Sequence, residues 1–137
     1  MNFVHIGLVC SSEENADRFY GELLGLPKTR RSKSLSEELA LQIFDISVPG
    51  GCEMLYYGEH PLVIEVFLLE RRDLPEKKIS HTCIEVPDRT ELIGRCREMG
   101  FAAREVAREN RSPVVFIEDA DGNAFEIMAL PGIAGSK

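Results

Sequence analysis

Two histidines and two glutamates carry the chemistry this sequence can offer. His5 and His81 each sit near the start of an apolar stretch, and Glu65 and Glu126 each sit inside one, flanked by Ile64 and Val66 and by Phe125 and Ile127. A carboxylate among such neighbours is expensive to bury ionised unless something positive compensates it. A divalent metal would compensate both carboxylates at once. Two imidazoles and two carboxylates suit a six-coordinate site for nickel, cobalt, manganese, iron or zinc, with positions left open for water or substrate. Singly, a strand histidine or a strand glutamate has an ordinary structural reading. It is the recurrence of the same pair in two similar stretches that points to a site.

The elements that must position these residues repeat. Residues 4–10 read as a short strand. The run that follows places Ala16, Phe19, Tyr20, Leu23 and Leu24 on one stripe at helical spacing, with Ser11 and Glu14 at capping-box spacing and Gly25 as a stop. Residues 80–86 again read as a strand with a histidine near its start. Asp88 and Glu91 repeat the capping-box spacing, Leu92, Ile93, Cys96 and Met99 repeat the stripe, and Gly100 repeats the stop. His5 lies 20 positions before Gly25 and His81 lies 19 before Gly100, so an internal repeat is the economical account.

Between the two units, residues 28–36 read as an edge strand or extended loop, and residues 39–46 as a strand. Pro49-Gly50-Gly51 marks a turn, 52–57 and 62–69 read as strands, and the turn at Gly58 to Pro61 separates them. The second half continues with strands at 103–107, 114–117 and 125–130, the last two joined by a turn at Asp119 to Asn123. That turn lacks the length and closing glutamate of a calcium loop. The pattern is βαβββ twice, an α+β fold of two modules, 1–72 and 79–130, within a single domain of residues 1–137. The charged, Pro75-containing stretch 73–78 is the linker and residues 131–137 form a frayed tail.

Composition sets limits on partners. A net charge of −7 argues against a broad grip on nucleic acid. No apolar run approaches the roughly 18 residues of a membrane span, and the first residues do not resemble a signal peptide, so the expected location is the cytoplasm. The four cysteines, Cys10, Cys52, Cys83 and Cys96, are far apart and form no Cys-x-x-Cys pair, which favours free and mostly buried thiols. The basic groups Arg30-Arg31-x-Lys33, Arg71-Arg72 and Lys77-Lys78 could meet an anionic substrate, although short runs of this kind are usually solvated. Glu53 falls before another complete strand and Glu85 lies on a first strand, whereas Glu126 lies on a last one, so Glu65 is the better match; His60 has no matching partner.

The stretches His5 to Leu8, Ala16 to Leu26, Val63 to Glu65, Ser80-His81 and Val115 to Ile127 resemble the vicinal oxygen chelate superfamily, which includes glyoxalases, bleomycin-resistance proteins and extradiol dioxygenases. The resemblance implies two βαβββ modules curling into cups of mixed sheet around one divalent metal, often in a homodimer. It places the four ligand positions of glyoxalase I and of methylmalonyl-CoA epimerase on His5, Glu65, His81 and Glu126. The implied chemistry is lyase or isomerase chemistry on a small carbonyl substrate. The metal stabilises an enediolate while a carboxylate removes the α proton; Glu126 is the expected base, with Glu65 its opposite number. Dioxygenases and fosfomycin-resistance enzymes differ by using two histidines and one glutamate. Bleomycin-resistance members, which usually lack the ligand set, sequester antibiotics without catalysis. Many glyoxalase I sequences carry on the first strand an arginine that holds the glutathione carboxylate; here that place is Val9, which argues against glutathione.

Overall fold

The computed structural model describes residues 5–31, 35–44, 46–70, 72, 81–108 and 111–130. These form two compact units, Met1–Lys77 and Lys78–Lys137. The expected linker 73–78 and tail 131–137, together with Lys33, Arg71, Lys77 and Lys78, lie outside the described residues.

In the first unit, strands β1 (Ile6–Cys10), β2 (Lys28–Arg31), β3 (Glu53–Glu59) and β4 (Leu62–Leu68) form one sheet in the order β1-β4-β3-β2. β1 runs parallel to β4 and the remaining pairs are antiparallel. In the second unit β5 (Thr82–Val86), β6 (Ala102–Arg108), β7 (Arg111–Glu118) and β8 (Ala124–Ala129) take the equivalent order β5-β8-β7-β6, with β5 parallel to β8. The α+β class is the one expected from the repeat, and the two mixed sheets are those that the family resemblance implies.

The first helix begins as α1 (Glu13–Ala16) and continues as a π-helix over Asp17–Leu23. Its stripe is the expected one: Ala16, Phe19, Tyr20 and Leu23 are all buried. The wider turn, closed by the Leu24 amide donating to the Phe19 carbonyl at 3.0 Å, leaves Leu24 only half-buried. The cap is Ser12 rather than Ser11. Ser12 has the extended backbone of an N-cap, and its hydroxyl accepts from the Asn15 amide at 3.3 Å. Gly25 ends the helix at φ +68°, a conformation that favours glycine. In the second unit Asp88 caps α3 (Arg89–Glu98) as its spacing suggested, accepting from the Glu91 amide at 2.9 Å.

One element is of the wrong type in the sequence reading. Of the expected strand 39–46, residues 39–44 are helical instead, since Glu37–Phe44 forms the helix α2. The run Leu39 to Ile46 has no period-2 alternation to hold it in a sheet. Ser36 instead offers a hydroxyl to the Leu39 amide at 3.2 Å, and Glu37 and Glu38 complement the positive end of the helix. Ala40 and Phe44, four residues apart, turn inward together. The second strand of this module is therefore β2, and α2 is inserted between β2 and β3.

The first sheet has two differently covered faces. Leu8, Cys10, Leu55, Tyr57, Ile64 and Val66 are buried on the side that alternation assigns to one face, and Phe19 and Tyr20 belong to the same apolar set, with the Tyr20 and Tyr57 rings 5.5 Å apart. The opposite face carries Gly7, Val9, Met54, Tyr56, Glu65 and Phe67. Here α2 packs on one end: Leu35, Ala40, Val48, Cys52, Phe67 and Leu69 form a cluster joined by Val9, Phe44, Ile46 and Met54. The Phe44 and Phe67 rings meet edge to face at 5.0 Å. The face left over by α2 is where Glu65 lies.

Candidate metal centre

Strand register brings each histidine to its glutamate. In the first unit Gly7 pairs with Glu65 across the parallel β1/β4 ladder, and His5, immediately before β1, lies two residues from Gly7. Residues two apart on an extended chain point to the same side, so the imidazole falls on the Glu65 face. His5 Nε2 lies 2.9 Å from Glu65 Oε2. In the second unit Cys83 pairs with Glu126 across the parallel β5/β8 ladder, and His81 lies two residues before Cys83. His81 Nε2 lies 3.3 Å from Glu126 Oε2. The sequence reading put both histidines on first strands; each in fact directly precedes its strand.

The surroundings of the pairs differ. Glu65 is buried, with a relative exposure of 8%, although its histidine is exposed. The cost of that burial is offset on both carboxylate oxygens, because the Tyr56 hydroxyl donates to Oε1 at 2.8 Å while His5 faces Oε2. Glu126 is half-buried. Its neighbour on the adjacent antiparallel strand is Phe116, whose ring meets the His81 ring edge to face at 5.2 Å and lies under the Arg104 guanidinium at 4.5 Å. Arg104 also faces Glu118 at 3.5 Å.

Histidine nitrogen and carboxylate oxygen are suitable donors for a first-row divalent ion, and in each unit they converge from neighbouring strands on one side of the sheet. The donor chemistry therefore fits a metal. Of the other groups considered, Glu53 and Glu85 are exposed, and His60 is exposed in the β3–β4 turn. Cys83, beside Glu126 in register, is held above the usual thiol range by partial burial and then by the negative charges of Glu126 and Glu85, which disfavours a reactive thiolate. Asp119 to Asn123 is a turn, tied by Asp119 Oδ1 accepting from the Asp121 and Asn123 amides at 3.0 and 2.8 Å. Its carboxylate is occupied by the turn itself.

Register also matches across the whole row. Gly7, Glu65, Tyr56 and Arg30 are consecutive partners across the first sheet; Cys83, Glu126, Phe116 and Arg104 are consecutive partners across the second. The repeat is thus one of spatial position as well as of sequence order. A model of the glyoxalase/bleomycin resistance protein/dioxygenase superfamily matches residues 2–127. The chain belongs to that superfamily. Among solved structures, this superfamily member is similar to the trypanothione-dependent glyoxalase I of Leishmania major, at 18% identity and a TM-score of 0.67, covering 94% of this chain and 86% of that one. It is also similar to a fosfomycin resistance protein of Listeria monocytogenes, at 16% identity and a TM-score of 0.66, covering 90% and 89% of the two chains. An antibiotic binding protein from a Streptomyces species aligns at 16% identity and a TM-score of 0.61, covering 91% and 92%. At these identities the likeness establishes the shared fold. No curated protein matches the sequence.

Two features of this superfamily member escaped sequence reasoning. Tyr56 was one of two adjacent tyrosines in a strand, and only the β3/β4 register shows that Tyr56 faces Glu65 while Tyr57 faces the helix. The signal available was the short turn between β3 and β4, which fixes register once both strands are known. The second is a polar network on the helix side. Tyr57 donates to Asp17 Oδ1 at 2.6 Å, and Lys28 Nζ reaches Asp17 Oδ1 at 2.9 Å and Glu13 Oε1 at 2.7 Å. Val9, where many glyoxalase I sequences have an arginine, packs against the Phe67 cluster below α2.

Proposed function

We propose that this chain is a metal-dependent lyase or isomerase of glyoxalase type, working by proton transfer beside a carbonyl group of a small substrate. In this reading His5, Glu65, His81 and Glu126 together hold one divalent ion, with nickel, cobalt, zinc, manganese and iron all compatible with nitrogen and carboxylate donors. The observation that supports it is the equal register of the two His–Glu pairs, each with the histidine two residues before the strand partner of the glutamate.

The bound ion supplies positive charge to the oxygen on which negative charge develops as the α proton leaves. The protein's own part is proton movement and orientation. Glu126, half-buried and adjacent to a partly exposed His81, takes the proton from one carbon and returns it to its neighbour. Glu65, buried and bonded by the Tyr56 hydroxyl, is its counterpart in the first unit. The packing of Val9 below α2 supports a substrate other than a glutathione adduct, because that place is filled by the protein's own apolar side chains. A homodimer acting in the cytoplasm belongs to the same proposal, and light scattering of the purified protein tests the first half of it.

Metal analysis of the purified chain followed by titration is the decisive experiment. The expected result is about one tightly bound divalent ion per four-ligand set, lost in His5→Ala and in Glu126→Gln. Unaltered metal affinity in both variants would remove the site. A metal-free protein that binds an antibiotic tightly and turns over neither hemithioacetals nor 2-methylmalonyl thioester epimers would instead favour a sequestering role like that of the Streptomyces neighbour. Deuterium exchange at the α carbon of such a thioester would identify an epimerase.

A further inference from the structure

The two carboxylates occupy equal register positions but are not held equally. Tyr56 is the β3 partner of Glu65 and Phe116 is the β7 partner of Glu126, so the two aromatic residues are counterparts in the repeat. Tyr56 has a hydroxyl, and it donates to Glu65 Oε1 at 2.8 Å. Phe116 has none, and among the described residues no hydroxyl donates to Glu126. Glu65 therefore has the Tyr56 hydroxyl on Oε1 in addition to His5 beside Oε2, whereas among the described residues Glu126 has only the contact of His81 with Oε2.

We infer that Tyr56 is a positioning residue that pins Glu65 as the stationary carboxylate, and that phenylalanine at position 116 leaves Glu126 as the one free to rotate. The inference rests on the metal-centre reading above. Its physical basis is that a hydrogen bond to a charged group is stronger than a neutral one and directional, so a carboxylate held by a tyrosine hydroxyl must break that bond to swing. A carboxylate acting as a base has to present an oxygen to the substrate carbon. The Tyr56 hydroxyl on Glu65 opposes such motion, and the apolar ring beside Glu126 does not. Partners of this kind behind a metal ligand typically change metal affinity by about 10–100-fold when removed.

The test uses the full chain and cobalt(II) alone as probe, read by isothermal titration and by the visible absorption bands of the bound ion. Tyr56→Phe should weaken cobalt binding about tenfold or more and alter the bands, while Phe116→Tyr, which supplies the missing hydroxyl at the matching position, should tighten binding. Affinity and bands identical to wild type in Tyr56→Phe would overturn the inference and leave the metal centre standing. If Tyr56→Phe fails to fold, Phe116→Tyr decides, with tighter binding in support and unchanged binding against. Wild-type protein that binds no cobalt would overturn the metal-centre reading, and this inference with it.

Discussion

At the scale of single residues, the polar groups buried on the helix side of the first sheet are as consequential as those of the metal centre. Tyr57 is fully buried, and its hydroxyl donates to Asp17, which Lys28 also holds. Removing the hydroxyl in Tyr57→Phe discards a hydrogen bond to a charged acceptor. Because Asp17 is partly exposed and retains Lys28, the expected cost is about 1–1.5 kcal/mol, checked by urea denaturation. Gly51 makes a sharper prediction. It sits at φ +75°, and a Cβ there would run into the carbonyl of Leu35, the residue whose amide donates to Cys52 at 2.6 Å. Gly51→Ala should cost about 2–3 kcal/mol, seen as a lower midpoint in the same denaturation, because both the strained conformation and the displaced bridge count against it.

At the scale of elements, caps and inserted helices decide what the apolar pattern leaves open. Asp88→Ala removes the carboxylate that accepts from the Glu91 amide and should destabilise by about 1 kcal/mol, whereas Asp88→Asn, which keeps an acceptor, should cost a few tenths. Helix α2 shows the limit of composition in the stretch 39–46: its apolar residues are interrupted only by Gln42 and Asp45, so the run is as compatible with a strand as with a helix. Leu39 and Leu41 are 47% and 50% exposed while Ala40 is fully buried, an arrangement that packing against Phe67 imposes and that composition does not announce. Replacing Leu41 by lysine should leave stability within about 0.5 kcal/mol of wild type, while Ala40→Asp places a charge inside the cluster and should unfold the α2 region, with circular dichroism and denaturation as the readouts.

At the scale of the whole molecule, the titrating groups make stability depend on pH on the alkaline side. Burial holds the Cys52 thiol above its ordinary 9.0, and burial also raises Cys96, against a smaller opposing effect of Arg97. Burial, and then the bond to Asp17, holds the Tyr57 hydroxyl far above its ordinary 10.0. For Lys28, burial lowers the value but the bonds to Glu13 and Asp17 outweigh it, and the net shift is upward from 10.5. All four groups keep their proton more firmly when folded. Their contribution is therefore complete below the unfolded values and is lost as pH rises, first through the thiols above about 9 and then through Tyr57 and Lys28 above about 10. Denaturation midpoints measured from pH 8 to 11 should fall over that window, and less steeply in Tyr57→Phe.

The sequence by itself determined the repeat, the α+β class and the four candidate ligands, because those depend on local periodicity and on residue types at matched intervals. His5 and His81, Glu65 and Glu126, and the stops at Gly25 and Gly100 are all legible as spacing. What tertiary structure decided is what depends on partners distant in the chain. Whether 39–44 becomes helix or strand depends on Phe67 and Val9, and which of two adjacent tyrosines reaches Glu65 depends on the register between β3 and β4. The difference between Tyr56 and Phe116 is visible in the sequence as letters. It acquires meaning only when the ladders place each beside its glutamate, because a hydrogen bond is formed across strands and cannot be read along one.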